Sequence, residues 1–215
     1  MFKFKHPFTC ICSGPTGSGK TTFVQNVLKY NMIQPPPEKI VWLGTPITME
    51  GVEFHSDIPE DIEDKFNSED NNLLIIDDLM TQCHSDERMT RLFSVGSHHK
   101  NLSIVFIIHN LFHQGREMRN MSLNSHYIIL LKNPRDSQQI ATLARQIYPA
   151  DWRFLVEAYE EATSKPHGYL VLDLKPDTPD MLRIRTAIFP DESQIVYINK
   201  NTSVKNKSFV IETDM

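Results

Sequence analysis

Residues Gly14-Pro15-Thr16-Gly17-Ser18-Gly19-Lys20-Thr21 stand between a short apolar run, Phe8 to Cys12, and a segment with helical periodicity. Glycine inside an element costs about 0.5–1 kcal/mol relative to alanine. Three glycines in six positions therefore mark a backbone that must approach something closely. The spacing G-x-x-x-x-G-K-[ST] is met without a mismatch, and in that pattern the loop wraps a polyphosphate. Backbone N–H groups point inward and the following helix adds positive partial charge at its N-terminus. Lys20 is expected to reach the β- and γ-phosphates of ATP, and the Thr21 hydroxyl to sit on Mg²⁺. Gly14, Pro15, Thr16, Gly17, Ser18, Gly19 and Thr22 complete the expected cradle. After Lys20, apolar Phe23, Val24, Val27 and Leu28 recur at helical spacing.

A phosphate loop needs a carboxylate to help hold Mg²⁺ in octahedral oxygen coordination. "NNLLIIDD", Asn71 to Asp78, carries four consecutive apolar residues, as a parallel strand buried on both faces does. Asp77 at its tip is the expected metal ligand. Asp78, one residue on, is positioned to polarise the attacking water. Twin acids of this kind belong to NTPases with an added catalytic acid, and small-molecule kinases need none. Such enzymes carry an inserted strand that ends in a polar sensor. "LSIVFIIHN", Leu102 to Asn110, fits that slot, with His109 or Asn110 as the sensor depending on a one-residue register.

The remaining chain reads as alternating strands and helices. Lys39–Leu43 and His126–Lys132 read as strands, and Gly51–His55 as an edge strand. An acidic, weakly helical stretch is expected up to about Asn67, and a helix over Arg88–His98. "SQQIATLARQIY" and "ADWRFLVEAYEEA" read as helices separated by Pro149. "GYLVLDL" and "LRIRTAIF" read as a C-terminal strand pair. The pattern predicts one α/β domain over residues 1–190, with a mainly parallel central sheet flanked by helices. Residues 191–215 read as a polar tail, a surface strand or disordered.

At 215 residues the chain can bury one sizeable core, and its 40% apolar and 23% charged content is ordinary for a globular domain. No apolar stretch approaches the roughly 20 residues of a membrane span, and "MFKFKHPF" lacks a signal-peptide core. An intracellular protein, not secreted and without membrane contact, is expected. Cys10 and Cys12 lie two apart on one strand, near the upper limit for a disulfide. Cys83-His84 and His98-His99 show no metal-site spacing. The formal charge of −5 excludes a uniformly basic surface, but the charge is uneven. Glu50 to Asp70 holds nine acidic residues and one lysine, whereas His98 to Arg153 holds seven Lys/Arg and three Asp/Glu. A local basic stretch in an acidic protein suits a channel or a subunit boundary.

Taken together, "HPFTCICSGPTGSGKTTF", "LLIIDDLM", "HHKNLSIVFIIHNLFHQGREMRNMSLNSHYIILLKNPRD" and "ARQIYP" resemble the genome-packaging ATPases of Polinton/Maverick-type and adintovirus-like elements. Those group with the poxvirus-type packaging ATPases of the FtsK–HerA superfamily. The likeness runs from about His6 to Phe189, and its most specific part is His98 to Asp136. It implies a RecA-like P-loop NTPase that forms a homo-oligomeric ring. It further implies ATP hydrolysis coupled to movement of double-stranded DNA into a capsid, with a capsid or portal-vertex protein as partner. The implied setting is a virion-assembly site in the host nucleus or cytoplasm. The resemblance departs at His109, where the family usually has glutamine. It also implies an arginine supplied by a neighbouring subunit. Arg88, Arg91, Arg116, Arg119 and Arg135 are available, and Arg119 and Arg135 lie in the specific block. Lys100, Lys132 and Arg116 are expected DNA-backbone contacts. A nucleoside or nucleotide kinase and a cellular FtsK/HerA-like DNA translocase are the alternatives. No arginine-rich kinase lid is evident, and "NKNTS" at Asn199 lacks the aspartate of a guanine-reading motif.

Overall fold

Alternation of apolar side chains along buried strands sorts this chain into layers. Its computed structural model describes residues 2–79, 82–83, 86–92, 100–111, 124–135 and 137–199. Eleven strands are present among these: β1 (Phe4–Lys5), β2 (Thr9–Ser13), β3 (Ile33–Gln34), β4 (Lys39–Gly44), β5 (Val52–His55), β6 (Asn72–Asp77), β7 (Leu102–Ile108), β8 (Tyr127–Leu131), β9 (Tyr169–Asp173), β10 (Ile184–Thr186) and β11 (Ile195–Tyr197). The helices are α1 (Lys20–Lys29), α2 (Glu87–Arg91), α3 (Ser137–Ile147) and α4 (Trp152–Ala162).

Nine strands form one sheet in the order β11-β10-β9-β8-β2-β7-β6-β4-β5. β8, β2, β7, β6, β4 and β5 run parallel, and β9, β10 and β11 are antiparallel to their neighbours. β7 thus lies between the phosphate-loop strand and the strand ending in Asp77, the place of the inserted strand in a catalytic-acid NTPase. Every residue of β6, β7 and β8 is buried, which explains their unbroken apolar sequence.

Odd and even positions face different layers. Ile11, Leu74, Ile76, Phe106 and Leu130 pack with Leu143, Ala144, Leu155 and Ala158 of α3 and α4. Cys10, Cys12, Leu73, Ile75 and Ile129 pack on the opposite face with Phe23, Val24 and Val27 of α1. The N-terminal segment extends this second layer. Phe2, Phe4 and Phe8 surround the Tyr127 ring at centroid distances of 6.1, 4.9 and 5.4 Å, and β1 pairs with β3. The sequence reading did not anticipate this aromatic strap.

One expectation needs correction. Residues 56–70 form turns and bends with no helix; Pro59 and neighbouring like charges disfavour one, while Ile62 and Phe66 are still buried. Cys10 and Cys12 are free, as is Cys83; both strand cysteines point into the α1 layer, beside one another but not bonded. Of the helix expected over Arg88–His98, the described part is α2, and residues 93–99 lie outside the described residues. Asp86 caps α2, accepting from the Arg88 N–H at 2.9 Å.

Candidate active site

All parallel strands deliver their carboxyl ends to one edge of the sheet, where ligands bind in open α/β folds. β2 ends there in Ser13, β6 in Asp77, and β7 in Ile108, followed by His109. The three ends are adjacent, since Ser13 pairs with Ile108 and Asp77 with Ile107. The Gly14 N–H donates to Ile108 O at 3.2 Å, which ties the loop's first residue to the inserted strand.

The loop is a tight fit. A Cβ on Gly14 would lie 2.7 Å from Ser18 Oγ and 3.0 Å from Leu131 Cβ. Gly17 and Gly19 hold φ of +77° and +100°, and Gly19 caps α1 with no acidic residue in the first turn. The Ser18 hydroxyl is buried with no hydrogen-bond partner. A buried hydroxyl in that state is costly unless a ligand satisfies it, and phosphate oxygens would.

Lys20 is 7% exposed. Its ammonium donates to Gly14 O at 2.8 Å and Pro15 O at 3.1 Å, and lies 3.3 Å from His109 Nδ1. Burial pushes its pKa down, against the pull of Asp77 and Asp78. Asp77 is 5% exposed and accepts from the Thr21 hydroxyl at 3.1 Å. Burial raises its pKa, while hydrogen bonds to Thr21 and Thr45 and the Lys20 charge act the other way. A buried ammonium and a buried carboxylate, each short of compensating charge, fit an anion with a cation bound beside it. Thr21 and Asp77 present hard oxygen donors side by side, as a Mg²⁺ that keeps most of its shell from phosphates and water requires.

Asp78 holds φ of +63°, a conformation uncommon outside glycine and, among other residues, most accessible to asparagine, aspartate and histidine. Its N–H donates to Ile107 O at 3.2 Å, and its carboxylate lies 3.3 Å from His109 Nε2. His109 therefore spans the site, one ring nitrogen toward Lys20 and the other toward Asp78. With Nδ1 accepting from the ammonium, Nε2–H donates to Asp78. The register that sequence left open is set so that His109 faces this site; Asn110 is half-buried beyond it.

Other expected residues are placed elsewhere. Lys100 donates to the carbonyls of Glu63 and, at 3.3 Å, Phe66. It ties down the 56–70 segment instead of extending toward solvent, so it is withdrawn as a DNA contact. Arg88 pairs with Asp86 at 2.6 Å and donates to Pro59 O and Glu60 O, so it is engaged within its own chain. Lys132 donates to Ser164 O at 2.8 Å. Arg135 is exposed just beyond β8, at the same sheet edge as the loop. Arg116 and Arg119 lie outside the described residues, as does the side chain of Arg91.

Sequence reasoning missed Gly44, Thr45 and His167. Gly44 pairs with Asp77 and has φ of +111°, and a Cβ there would lie 1.9 Å from Asp77 O. His167 Nδ1 donates to Ser18 O at 3.2 Å and would meet a Cβ on Gly19 at 3.3 Å. "LGTP" after a buried strand was a visible signal for the first two; nothing local marked His167.

Solved structures share this fold. The DNA-packaging ATPase B204 of Sulfolobus turreted icosahedral virus aligns over 83% of this chain and 96% of its own, at 13% identity, with a TM-score of 0.54. The chain shares its fold with that viral DNA-packaging ATPase. B204 of Sulfolobus turreted icosahedral virus 2, solved with ATP-gammaS, covers 83% of this chain and 95% of that one, at 14% identity and a TM-score of 0.50. In sequence, the chain is 49% identical to Packaging protein 1 of Snake adenovirus serotype 1 over 37 residues. That stretch is 17% of this chain and 8% of the adenoviral protein. No protein-family model matches the chain. The resemblance to packaging ATPases thus holds in fold, and a short stretch of sequence matches a viral packaging protein. Among the described residues, no helix is long and apolar enough to cross a membrane, and no cluster of three His, Cys, Asp or Glu residues could hold a metal ion.

Proposed function

We propose that this chain is the ATP-hydrolysing subunit of a motor that drives double-stranded DNA into a viral or virus-like capsid. The observation that carries the hydrolytic part is the convergence of Lys20, Thr21, Asp77, Asp78 and His109 on three adjacent strand ends. The packaging part rests on the B204 fold and the adenoviral stretch.

In this reading residues Gly14 to Thr21, with Thr22 at the edge, hold the phosphates. Lys20 exchanges the Gly14 and Pro15 carbonyls for phosphate oxygens. Thr21 and Asp77 hold Mg²⁺, which neutralises charge on the triphosphate when bound. Asp78 accepts a proton from the attacking water as the water's oxygen bonds to the γ-phosphorus and the bond to ADP breaks. His109 links the lysine to that acid, so that it registers whether a γ-phosphate has drawn Lys20 away. An arginine from a neighbouring subunit, Arg119 or Arg135, adds positive charge to the transferring group, and the chains assemble as a homo-oligomeric ring. The DNA contacts go to phosphates and carry no sequence preference. The setting is an intracellular virion-assembly site, with a capsid or portal-vertex protein as docking partner.

Purified protein with ATP and Mg²⁺, with and without linear duplex DNA, tests this. DNA-stimulated release of phosphate is expected. Lys20→Ala is expected to lose nucleotide binding. Asp78→Asn is expected to bind ATP and lose turnover by about 100-fold or more. Asparagine tolerates the left-handed backbone at this position, so the loss would report chemistry and not folding. Normal turnover by Asp78→Asn refutes the acid's role, and phosphate transfer to a nucleoside without DNA refutes the motor.

A further inference from the structure

Exposed large apolar side chains gather in one part of the molecule. Among the described residues they are Met181, Ile195 and Ile198, at 40%, 45% and 47% exposure. Met181 and Ile198 open onto a groove of about 340 Å³ whose walls also include Tyr148, Phe154 and Leu174. The groove lies at the end of the sheet away from the phosphate loop. Leu174 follows the end of β9 at which Asp173 pairs with Tyr127, the first residue of β8. Ile198 adjoins the Ile184–Tyr197 pair at that same end. The phosphate loop stands at the other end, beside Leu131.

The α3–α4 turn gives the groove a cationic rim. The Arg145 and Arg153 guanidinium groups lie 4.4 and 5.5 Å from the centre of the Trp152 ring. Both side chains are exposed. Among the described residues, the ion-paired arginines are Arg88, Arg183 and Arg185, not these two. A guanidinium stacked on an indole is held through its face and keeps its in-plane N–H donors. Asp180, the carboxylate at the groove, is already paired with Arg183 at 2.8 Å. An apolar groove with two unspent guanidinium groups beside it fits a short segment of apolar side chains followed by carboxylates.

The chain carries such a segment. Ile198 and Asn199 line the groove, and residues 200–215 lie outside the described residues. Their sequence includes Phe209-Val210-Ile211-Glu212-Thr213-Asp214. Asn199 to Phe209 can span up to about 33 Å, and a tether of that length supplies its segment at an effective concentration of about millimolar. We infer that Phe209 to Asp214 seat in this groove of their own chain. Phe209 and Ile211, on one face of an extended segment, enter among Tyr148, Phe154, Met181 and Ile198. Glu212 and Asp214 pair with Arg145 and Arg153. The inference is independent of the nucleotide site.

Disulfide trapping in the full chain tests it. Cys10, Cys12 and Cys83 are buried, so thiols introduced at the surface are the ones that react. Met181→Cys with Ile211→Cys is expected to close an intrachain bond at least about tenfold faster than Met181→Cys with Val204→Cys. A segment without a seat would close the shorter loop at least as fast. Phe209→Ser is expected to erase that advantage, as is Arg145→Glu with Arg153→Glu; circular dichroism checks that the fold is kept. Equal or slower closure through Ile211→Cys overturns the inference. So does an advantage that survives both sets of changes. A bond that forms only between chains also overturns it, since the occupant would then be a neighbouring copy's segment.

Discussion

Gly44 shows how one backbone position fixes the site. The strand before it delivers the chain alongside Asp77, and its φ of +111° leaves no room for a side chain. Gly17 also has positive φ, +77°, but nothing lies within 4 Å of where its Cβ would be. Comparing the two separates conformational strain from steric contact. Gly17→Ala is expected to cost about 1 kcal/mol, the backbone penalty alone. Gly44→Ala adds a clash with the Asp77 carbonyl and is expected to cost about 3 kcal/mol or more. Urea unfolding midpoints of both variants check this, and equal losses would show that the Gly44–Asp77 approach is not tight. The phosphate loop and the twin acids were legible because their spacing is local and their residue types are scarce in other roles. Gly44 and Thr45 left only the trace "LGTP" after a buried strand, and His167 left none, because all three act across strands and their role exists only once the register is set. His109 was legible as a candidate only, since a one-residue slip would have given Asn110 the same place.

At the scale of elements, the central strands could be read directly from their apolar runs, and the edge strand expected over Gly51–His55 is β5. β5 is a four-residue edge strand, each residue partly exposed, and charge covers it. Glu53 accepts from Lys39, from Lys65 at 2.6 Å and from His55 at 2.8 Å. These donors hold its carboxyl down at about 2, against an ordinary glutamate value of about 4.3. A depressed acid stabilises the fold above its unfolded value, and that contribution disappears as pH falls toward the folded one. Full desolvation would make the difference worth about 3 kcal/mol. The carboxylate is 32% exposed and Lys39 37%, so screening leaves about 1 kcal/mol. Glu53→Gln is therefore expected to lose about 1 kcal/mol at pH 7. The gap to the unmodified protein is expected to shrink from about pH 4.3 downward and close near pH 2. Thermal unfolding across that range measures it, and a gap independent of pH would assign the loss to packing instead. The acidic stretch after β5 was misread as weakly helical because its periodic pair, Ile62 and Phe66, buries from a series of turns as readily as from a helix.

On the scale of the whole molecule, the site stands at one end of the sheet and is open toward whatever lies beyond it. Asp78 has a side-chain exposure of 63% and His109 of 45%. Such exposure is unsuited to a transition state that needs water excluded and positive charge supplied. Within the chain, most described arginines are engaged away from the acids: Arg88 is bonded to Asp86, Arg183 to Asp180, Arg185 is buried beside Asp173, and Arg145 and Arg153 lie over the Trp152 ring. Arg135 is exposed at the same sheet edge but on the far side of β2 from Asp77, because β8 and β6 flank β2 and β7 from opposite sides. An arginine so placed would serve the next subunit's acids better than its own, given head-to-tail packing around a ring. Mixing two inactive chains decides this. Asp78→Asn retains Arg135, and Arg135→Ala retains Asp78. Each is expected to be nearly inactive alone. If the arginine acts across a boundary, a one-to-one mixture regains about a quarter of full activity, the share of boundaries that pair an intact acid with an intact arginine. An arginine acting within its own chain gives no recovery at any ratio. Recovery that appears only above the concentration at which the chains associate ties the activity to assembly, since a shared site cannot exist in a monomer.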